Sequence, residues 1–248
     1  MVVELAMFDL GNTLFFDRPG SWPKVYAQAE SALWRSLKQA GLRVSPEDLY
    51  GRPDTLLGYY YALRGSGIQE PGAFAVLKGL ILRQGLSIED SAISKALRAM
   101  YAETQRNWRV DARARAVLKT LLKRDVRLGV VSNGSDDANA FEMLERAKLR
   151  SFFDLVLTSA AHGRRKPDAS IFQSALAHFQ VEPAQAVMVG DSYEADIVGA
   201  HGLGMHTIWV RRREAPAPEH PAVQPDAIVA AVREVPPLLF RDLAPNVH

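Results

Sequence analysis

The second half of the chain alternates short apolar runs with helical patterns, and this alternation restricts the fold more than any other feature. Apolar runs typical of buried strands occupy residues 126–131, 153–157, 186–189 and 205–210, and another lies at residues 2–8. Patterns of ten or more residues with helical spacing separate most of them. Strands that alternate with helices of this length predict an α/β fold whose parallel sheet is doubly wound, with helices on both faces.

Residues 16–107 interrupt this alternation with helical patterns alone. Ser21 followed by Pro23, Ser45 followed by Pro46, and Ser87 followed by Glu89 are typical helix starts, and we expect no strand among them. The sequence therefore predicts a core formed by residues 1–15 and 108–248, with an all-helical domain of residues 16–107 inserted after the first strand. A last helix is predicted over residues 226–232.

Polar side chains follow several of the predicted strands. They are Asp9, Ser132 with Asn133, Lys166 and Asp191. Carboxyl ends of parallel strands meet at one edge of a sheet, so we expect these groups to lie together there. By itself, Asp9 in its Gly-Asn turn is equally well explained as an acid that caps a turn.

Such a cluster suits phosphoryl transfer. Asp9 and Asp191 supply the hard oxygen ligands that Mg²⁺ prefers, and the cation would offset the repulsion between a carboxylate and a phosphate. Lys166, Ser132 and Thr13 would provide positive charge and hydrogen-bond donors to the phosphoryl oxygens. Asp196 would orient or neutralise Lys166, or complete the outer shell of the metal.

Composition excludes several other classes of site. The 248 residues include 30 Lys and Arg against 28 Asp and Glu, which is too balanced for a nucleic-acid-binding surface. There is no cysteine, so thiolate chemistry and disulfides are excluded. The six histidines show no ligand spacing, and Ser135 has no plausible triad setting. Without a long apolar run, we expect a cytoplasmic protein with no membrane partner, either a monomer or a homodimer.

Four motifs, in order, resemble those of the haloacid dehalogenase-like hydrolase superfamily, which consists mostly of phosphatases. They are Phe8-Asp9-Leu10-Gly11-Asn12-Thr13-Leu14, Val131-Ser132-Asn133-Gly134, Lys166-Pro167, and Val189-Gly190-Asp191-Ser192 continuing through Asp196-Ile197-Val198-Gly199-Ala200. The helical insertion is similar to the C1-type cap of that superfamily. The resemblance thus covers essentially the whole chain and implies a Rossmann-like core with a cap domain.

The resemblance also implies roles for individual residues. Asp9 would be the nucleophile that forms an aspartyl-phosphate, and Asp9, the backbone carbonyl of Gly11 and Asp191 would bind Mg²⁺. Ser132 and Lys166 would hold the phosphoryl oxygens of a small-molecule phosphomonoester, and Thr13 and Asn133 belong to the same phosphate-binding set.

Gly11 departs from the pattern, because phosphatases of this superfamily usually carry a second Asp there. That Asp protonates the leaving group and later activates water, so its absence should slow esters with poor leaving groups most. Asp17 is a candidate replacement. We expect the aromatic residues Trp22, Trp34 and Tyr59-Tyr60-Tyr61 to form the core of the cap rather than a substrate cage.

Two alternatives to a phosphatase remain. In a 2-haloacid dehalogenase, Asp9 would attack carbon instead of phosphorus. Dehalogenases of this superfamily need no metal, so the retained Gly190-Asp191 pair argues against that activity. A binding protein with residual activity is the other alternative, and the Gly at position 11 motivates it.

Overall fold

A six-stranded, entirely parallel sheet forms the core of the protein. The computed structural model describes residues 3–17, 22–51, 55–211 and 223–240. Strands of the sheet are β1 (Leu5–Phe8), β4 (Arg127–Ser132), β5 (Leu155–Thr158), β6 (Ala186–Gly190), β7 (His206–Val210) and β8 (Ala227–Val229). Their spatial order is β5-β4-β1-β6-β7-β8. This is the doubly wound Rossmann-like order, so the fold class predicted from the sequence is confirmed.

The central strand β1 lies where the winding of the sheet reverses. Phe8 pairs with Val130 of β4 on one side and with Val189 of β6 on the other. Ligands of open α/β sheets bind outside the carboxyl ends of the strands at such a switch point. Residues that directly follow β1, β4 and β6 are therefore placed for function.

Alternate residues of β1 are buried against opposite layers, as the two-residue repeat of a strand requires. Ala6 and Phe8 belong to one apolar cluster, and Leu5 and Met7 belong to another. Both faces of β1 are thus buried, which explains its continuous apolar sequence. The core helices are α6 (Ala114–Leu122), α7 (Asp137–Arg146), α8 (Ser159–His162), α9 (Ala169–Phe179), α10 (Gly199–His201) and α11 (Val235–Leu239).

Five helices between β1 and β4 form a separate apolar cluster. They are α1 (Trp22–Gln39), α2 (Pro46–Tyr50), α3 (Leu56–Arg64), α4 (Ala73–Arg83) and α5 (Asp90–Gln105). The predicted start signal at Ser45 is an N-cap, because its hydroxyl accepts the backbone N–H of Asp48 at 3.0 Å. Thr55 caps α3 in the same way through the N–H of Gly58 at 3.1 Å.

A short antiparallel ribbon joins the helical insertion to the core, and the sequence did not predict it. Strand β2 (Phe15–Asp17) pairs with β3 (Trp108–Val110), so Phe16 and Asp17 are extended rather than helical. Three-residue strands are too short to produce a recognisable alternation. The ribbon brings the two ends of the insertion together beside the end of β1.

The predicted last helix over residues 226–232 is wrong. Ala227–Val229 forms the edge strand β8, whose Ile228 pairs with Trp209 of β7. Ile and Val are β-branched and suit a strand, and pairing along β7 outweighs the weak helical pattern of so short a segment. A one-turn 3₁₀ helix at Val232–Glu234 and α11 follow.

Among the described residues, no helix is long and apolar enough to cross a membrane.

Candidate active site

A buried lysine holds the centre of the site. Lys166 Nζ donates to Asp9 Oδ1 at 2.8 Å, to Asp196 Oδ1 at 2.6 Å and to the carbonyl of Val131 at 2.7 Å. Only 2% of this residue is exposed. Burial alone would lower the pKa of Lys166, but Asp196 and Asp9 hold the pKa above its ordinary value. The side chain is therefore a fixed ammonium between two carboxylates.

Asn133 positions the backbone of Lys166. Its Oδ1 accepts the N–H of Lys166 at 2.8 Å, and its Nδ2 donates to the carbonyl of Lys166 at 3.0 Å. The peptide bond between Lys166 and Pro167 is cis. The side-chain amide of Asn133 thus binds the loop that carries the lysine, and its predicted contact with phosphate stays a prediction.

Asp9 receives its hydrogen bonds on one side. Ser132 Oγ donates to Asp9 Oδ1 at 3.0 Å, and this same oxygen accepts a hydrogen bond from Lys166 Nζ. Within the described ranges, no hydrogen bond goes to Asp9 Oδ2. Two donors thus orient the carboxylate while its second oxygen stays available for chemistry.

Three carboxylates meet at this edge of the sheet. Asp9, Asp191 and Asp196 each offer an oxygen, and these oxygens lie within 4.8 Å of one another. Burial, together with the charges of Asp9 and Asp196, raises the pKa of Asp191 to about 7, although a hydrogen bond from Asn12 opposes the shift. Like charges this close repel each other unless a cation lies among them.

The donor set suits a hard divalent cation. Asp196 is already occupied, because Oδ1 accepts from Lys166 and Oδ2 accepts the N–H of Ser192 at 2.9 Å. Asp9 and Asp191 remain as two carboxylate ligands, which suits Mg²⁺ because it is bound by few protein carboxylates and keeps several waters. The residues present therefore fit the metal predicted from the sequence.

Gly190 makes room for Asp196. A Cβ at position 190 would lie 2.2 Å from Asp196 Oδ2, which no relaxed structure permits. Asp196 is carried by a π-helical turn, Tyr193–Val198, which follows β6. The absence of a side chain at Gly190 thus allows Asp196 to approach Lys166.

Thr13 has a buried hydroxyl without a partner. Its residue is fully buried, and Oγ1 makes no hydrogen bond within the part of the chain that the structure describes. Leaving a buried hydroxyl unpaired costs about 1–3 kcal/mol, so such a group is informative. A phosphoryl oxygen or a water molecule would satisfy it.

A cavity of about 240 Å³ lies against the first and second motifs. Its walls include Gly11 and Ser132 from the core, and Trp22, Tyr60 and Tyr61 from the helical insertion. The expectation that all the aromatic residues form the cap core is therefore wrong for Trp22 and Tyr61. It holds for Trp34, which belongs to the apolar cluster of the insertion.

Asp17 does not lie on the cavity wall formed by the described residues. Its Oδ2 accepts a hydrogen bond from Trp22 Nε1 at 2.5 Å. The carboxylate that was a candidate to replace the missing acid at Gly11 thus holds an indole ring in place.

Glu70 links the insertion to the core, and no sequence signal indicated it. This buried carboxylate accepts hydrogen bonds from Tyr60 and from Ser159 Oγ, the latter at 2.7 Å. Burial raises the pKa of Glu70, while the hydrogen bond from Ser159 and the charge of Arg165 oppose the shift. No sequence pattern indicates Glu70, because its partners Tyr60 and Ser159 come from two separate segments of the chain.

The fold and this constellation define a Rossmann-like core with an acid that directly follows its first strand. The haloacid dehalogenase-like hydrolase family model matches residues 77–210, more than half of the chain. The phosphoserine phosphatase of Thermus thermophilus is 34% identical over 94% of this chain and 98% of its own length. The chain belongs to the haloacid dehalogenase-like hydrolase family.

Two further comparisons agree with this membership. A haloacid dehalogenase-like hydrolase domain-containing protein 3 from Bos taurus is 45% identical over 47% of this chain, and the match spans only 45% of the bovine protein. The crystal structure of a 2-haloacid dehalogenase from Pseudomonas syringae is 25% identical and superposes with a TM-score of 0.68. That comparison covers 97% of this chain and 99% of the other.

Proposed function

We propose that this protein is a Mg²⁺-dependent phosphatase that hydrolyses a small-molecule phosphomonoester through an aspartyl-phosphate on Asp9. One observation carries the proposal: Asp9 and Asp191 lie together with one buried ammonium, that of Lys166. The full-length similarity to a phosphoserine phosphatase supports it. Asp9, Asp191 and the carbonyl of Gly11 would hold the metal, which would offset charge repulsion and polarise the phosphoryl group.

The side chains around Asp9 account for the remaining steps. An oxygen of Asp9 attacks phosphorus, the bond from phosphorus to the ester oxygen breaks, and its electron pair leaves with that oxygen. Lys166, Ser132 and Thr13 stabilise the charge on the phosphoryl oxygens. Water then attacks phosphorus and the bond to Asp9 breaks. The carboxylate and phosphate are released, and a proton from that water neutralises the departed alkoxide.

We infer that residues 16–107 act as a cap over a core of residues 1–15 and 108–248. Backbone hydrogen bonds join the two parts, since Glu70 N–H donates to Gly163 at 2.9 Å and Arg165 N–H donates to Ile68 at 2.8 Å. We expect hinges at residues 16–20 and 107–111, which include parts of the β2–β3 ribbon, and residues 18–20 lie outside the described residues. Closure would exclude water from the cavity.

A metal-removal experiment tests the proposal. Phosphate release from 4-nitrophenyl phosphate should fall at least about tenfold with a chelator, because the repulsion between Asp9 and the phosphoryl group is no longer offset. Added Mg²⁺ should restore it. Turnover that a chelator leaves unchanged would contradict the metal-dependent mechanism. No turnover of any phosphomonoester would favour the binding-protein alternative.

Dehalogenation is the second candidate function. The similarity to the 2-haloacid dehalogenase structure favours it, and so does the lack of an acid at Gly11. In that reaction an oxygen of Asp9 would attack carbon, and halide would leave with the bonding electrons. Halide release from a 2-haloacid without added metal would support this function. The close contact of Asp9 and Asp191 speaks for a phosphatase instead.

Restoring the missing acid should broaden the range of esters hydrolysed. A Cβ at Gly11 would meet only Trp108, at an ordinary 3.6 Å, so a side chain is accommodated there. Gly11→Asp should raise turnover of alkyl phosphates about 10- to 100-fold and that of 4-nitrophenyl phosphate much less, because only poor leaving groups need a proton. Initial rates of phosphate release measure this.

Gly11→Asn is the matched control for Gly11→Asp, since it adds the same bulk without an acid. It should leave the ratio between alkyl and aryl esters unchanged. Equal gains by Gly11→Asp on both kinds of ester would show that position 11 is not an absent acid–base position.

A further inference from the structure

The cavity beside Gly11 has aromatic side chains on its walls, together with polar and charged ones. It lies next to the carboxylate cluster, so the group attached to the transferred phosphate would occupy it. Six aromatic side chains line it: Trp22, Tyr26, Tyr60, Tyr61, Tyr101 and Trp108. Its volume of about 240 Å³ suits one ring with small substituents.

The polar ends of three of these rings are bound to protein. Trp22 Nε1 donates to Asp17, Tyr60 donates to Glu70, and the hydroxyl of Tyr101 hydrogen-bonds Ser135 Oγ at 2.8 Å. These hydrogen bonds fix the ring orientations and occupy the polar atoms. These three side chains therefore offer a ligand their ring surfaces, which suit a flat apolar group.

The rings are also arranged in preferred aromatic geometries. Trp22 stacks on Tyr26 with centroids 5.2 Å apart, and Trp108 meets Trp22 edge-on at 5.6 Å. On another part of the wall, Tyr61 meets Tyr60 edge-on at 5.2 Å. A wall of this kind stabilises one more ring by the same stacking and edge contacts.

Among the described residues, the carboxyl groups on the cavity wall already accept hydrogen bonds from the protein. The carboxyl groups that line the cavity within the described ranges are those of Glu70 and Asp136. Both oxygens of Glu70 accept hydrogen bonds, and Asp136 caps α7 by accepting the N–H of Asn139 at 2.8 Å. This wall therefore suits a leaving group that can depart as an anion.

Arg64 makes the wall suitable for such an anion. Its guanidinium lies 5.1 Å from the ring centroid of Tyr61, and its buried Nε has no hydrogen-bond partner among the described residues. A cation on the cavity wall stabilises negative charge that develops on the leaving group.

We propose that the substrate is an aryl phosphomonoester, a phosphate ester of a phenol, whose ring binds among these aromatic side chains. This rests on the phosphatase function proposed above. An oxygen of Asp9 bonds to phosphorus, the bond to the phenolic oxygen breaks, and the phenolate leaves with the electron pair. A phenolate is stable enough to leave without a proton, and it takes one from water after it departs. Gly11 and the aromatic wall thus select the same chemical class.

Four esters test the two parts of this proposal separately: binding of the ring, and departure of the leaving group without a proton. Benzyl and cyclohexylmethyl phosphate have alkoxide leaving groups of similar basicity, but only the first has a ring. Benzyl phosphate should have a kcat/KM about 5- to 10-fold higher, as expected for ring stacking. Phenyl and 4-nitrophenyl phosphate share a ring but differ in leaving-group acidity, so kcat/KM, which reports the step in which the leaving group departs, should rise at least about tenfold from the first to the second.

A pair of tyrosines on α3 supplies matched variants. Tyr61 lines the cavity and is 47% exposed, so Tyr61→Leu should fold normally. Tyr59 lies on the same helix, where Arg83 donates to its hydroxyl at 2.7 Å, and it does not line the cavity. Tyr61→Leu should lower the benzyl to cyclohexylmethyl ratio about threefold to fivefold, whereas Tyr59→Leu should leave it unchanged.

The four esters distinguish a failure of the aromatic site from a failure of unassisted departure of the leaving group. Equal kcat/KM values for benzyl and cyclohexylmethyl phosphate would overturn the aromatic site. Equal kcat/KM values for phenyl and 4-nitrophenyl phosphate would overturn unassisted departure. Phosphate release in either case would leave the phosphatase function standing. No release from any of the four esters would overturn both proposals.

Discussion

Asp9→Asn should abolish phosphate release while the protein stays folded. An amide oxygen is a far weaker nucleophile than a carboxylate, and removal of a covalent nucleophile lowers kcat by at least about 10³-fold. The fold should tolerate the change, because Lys166 keeps its ion pair with Asp196 at 2.6 Å and its hydrogen bond to Val131 at 2.7 Å. Steady-state phosphate release and a thermal melt of the same sample measure both quantities.

The control for Asp9→Asn is the same substitution at an exposed carboxylate. Asp90 pairs with Lys78 at 2.8 Å on the helical insertion, and the Asp90 side chain is 58% exposed. Asp90→Asn should leave turnover unchanged, since exposed ion pairs contribute little to stability. An Asp9→Asn variant that keeps turnover within tenfold of the parent would rule out Asp9 as the nucleophile.

The assembly of the core half of the site was predictable because it depends on topology alone. Asp9, Ser132 and Asp191 each follow a parallel strand, so any doubly wound sheet brings them to one edge. Lys166 joins them from the loop between α8 and α9, held there by Asn133. The contact between Asn133 and Lys166 joins two loops, and no pattern in the sequence predicts it.

The insertion half of the site was not predictable, because helical spacing shows which residues are apolar but not what covers them. Trp22 and Trp34 lie on one helix, yet Trp34 is buried in the cap core and Trp22 lines the cavity. The difference depends on how α1 lies against the ribbon and α5. Glu70 was missed for the same reason, since its partners Tyr60 and Ser159 meet only after the insertion contacts the core.

Gly190→Ala is the second substitution for which we expect a large loss of turnover. Gly190→Ala would place a Cβ 2.2 Å from Asp196 Oδ2 and 2.6 Å from Asp196 Cβ, so either β6 or the following turn must move. Forcing extra atoms into a well-packed core typically costs about 1–3 kcal/mol, which corresponds to a Tm lowered by about 5 °C for a chain of this size. Turnover should fall at least about tenfold, because Asp196 holds Lys166 beside Asp9 and small displacements of catalytic groups are costly.

Two other glycines distinguish this effect from general sensitivity to alanine. Gly79 lies in α4 with nothing within 4 Å of a new Cβ, so Gly79→Ala should stabilise the protein by about 0.5–1 kcal/mol through helix propensity. At Gly129 the new Cβ would meet the ring of Phe179 at 3.0 Å, so Gly129→Ala should lower the Tm but keep turnover. If Gly190→Ala lowered turnover no more than Gly129→Ala does, Asp196 would not be the residue that positions Lys166. A loss of turnover confined to Gly190→Ala would show that Gly190 acts through the carboxylate beside it.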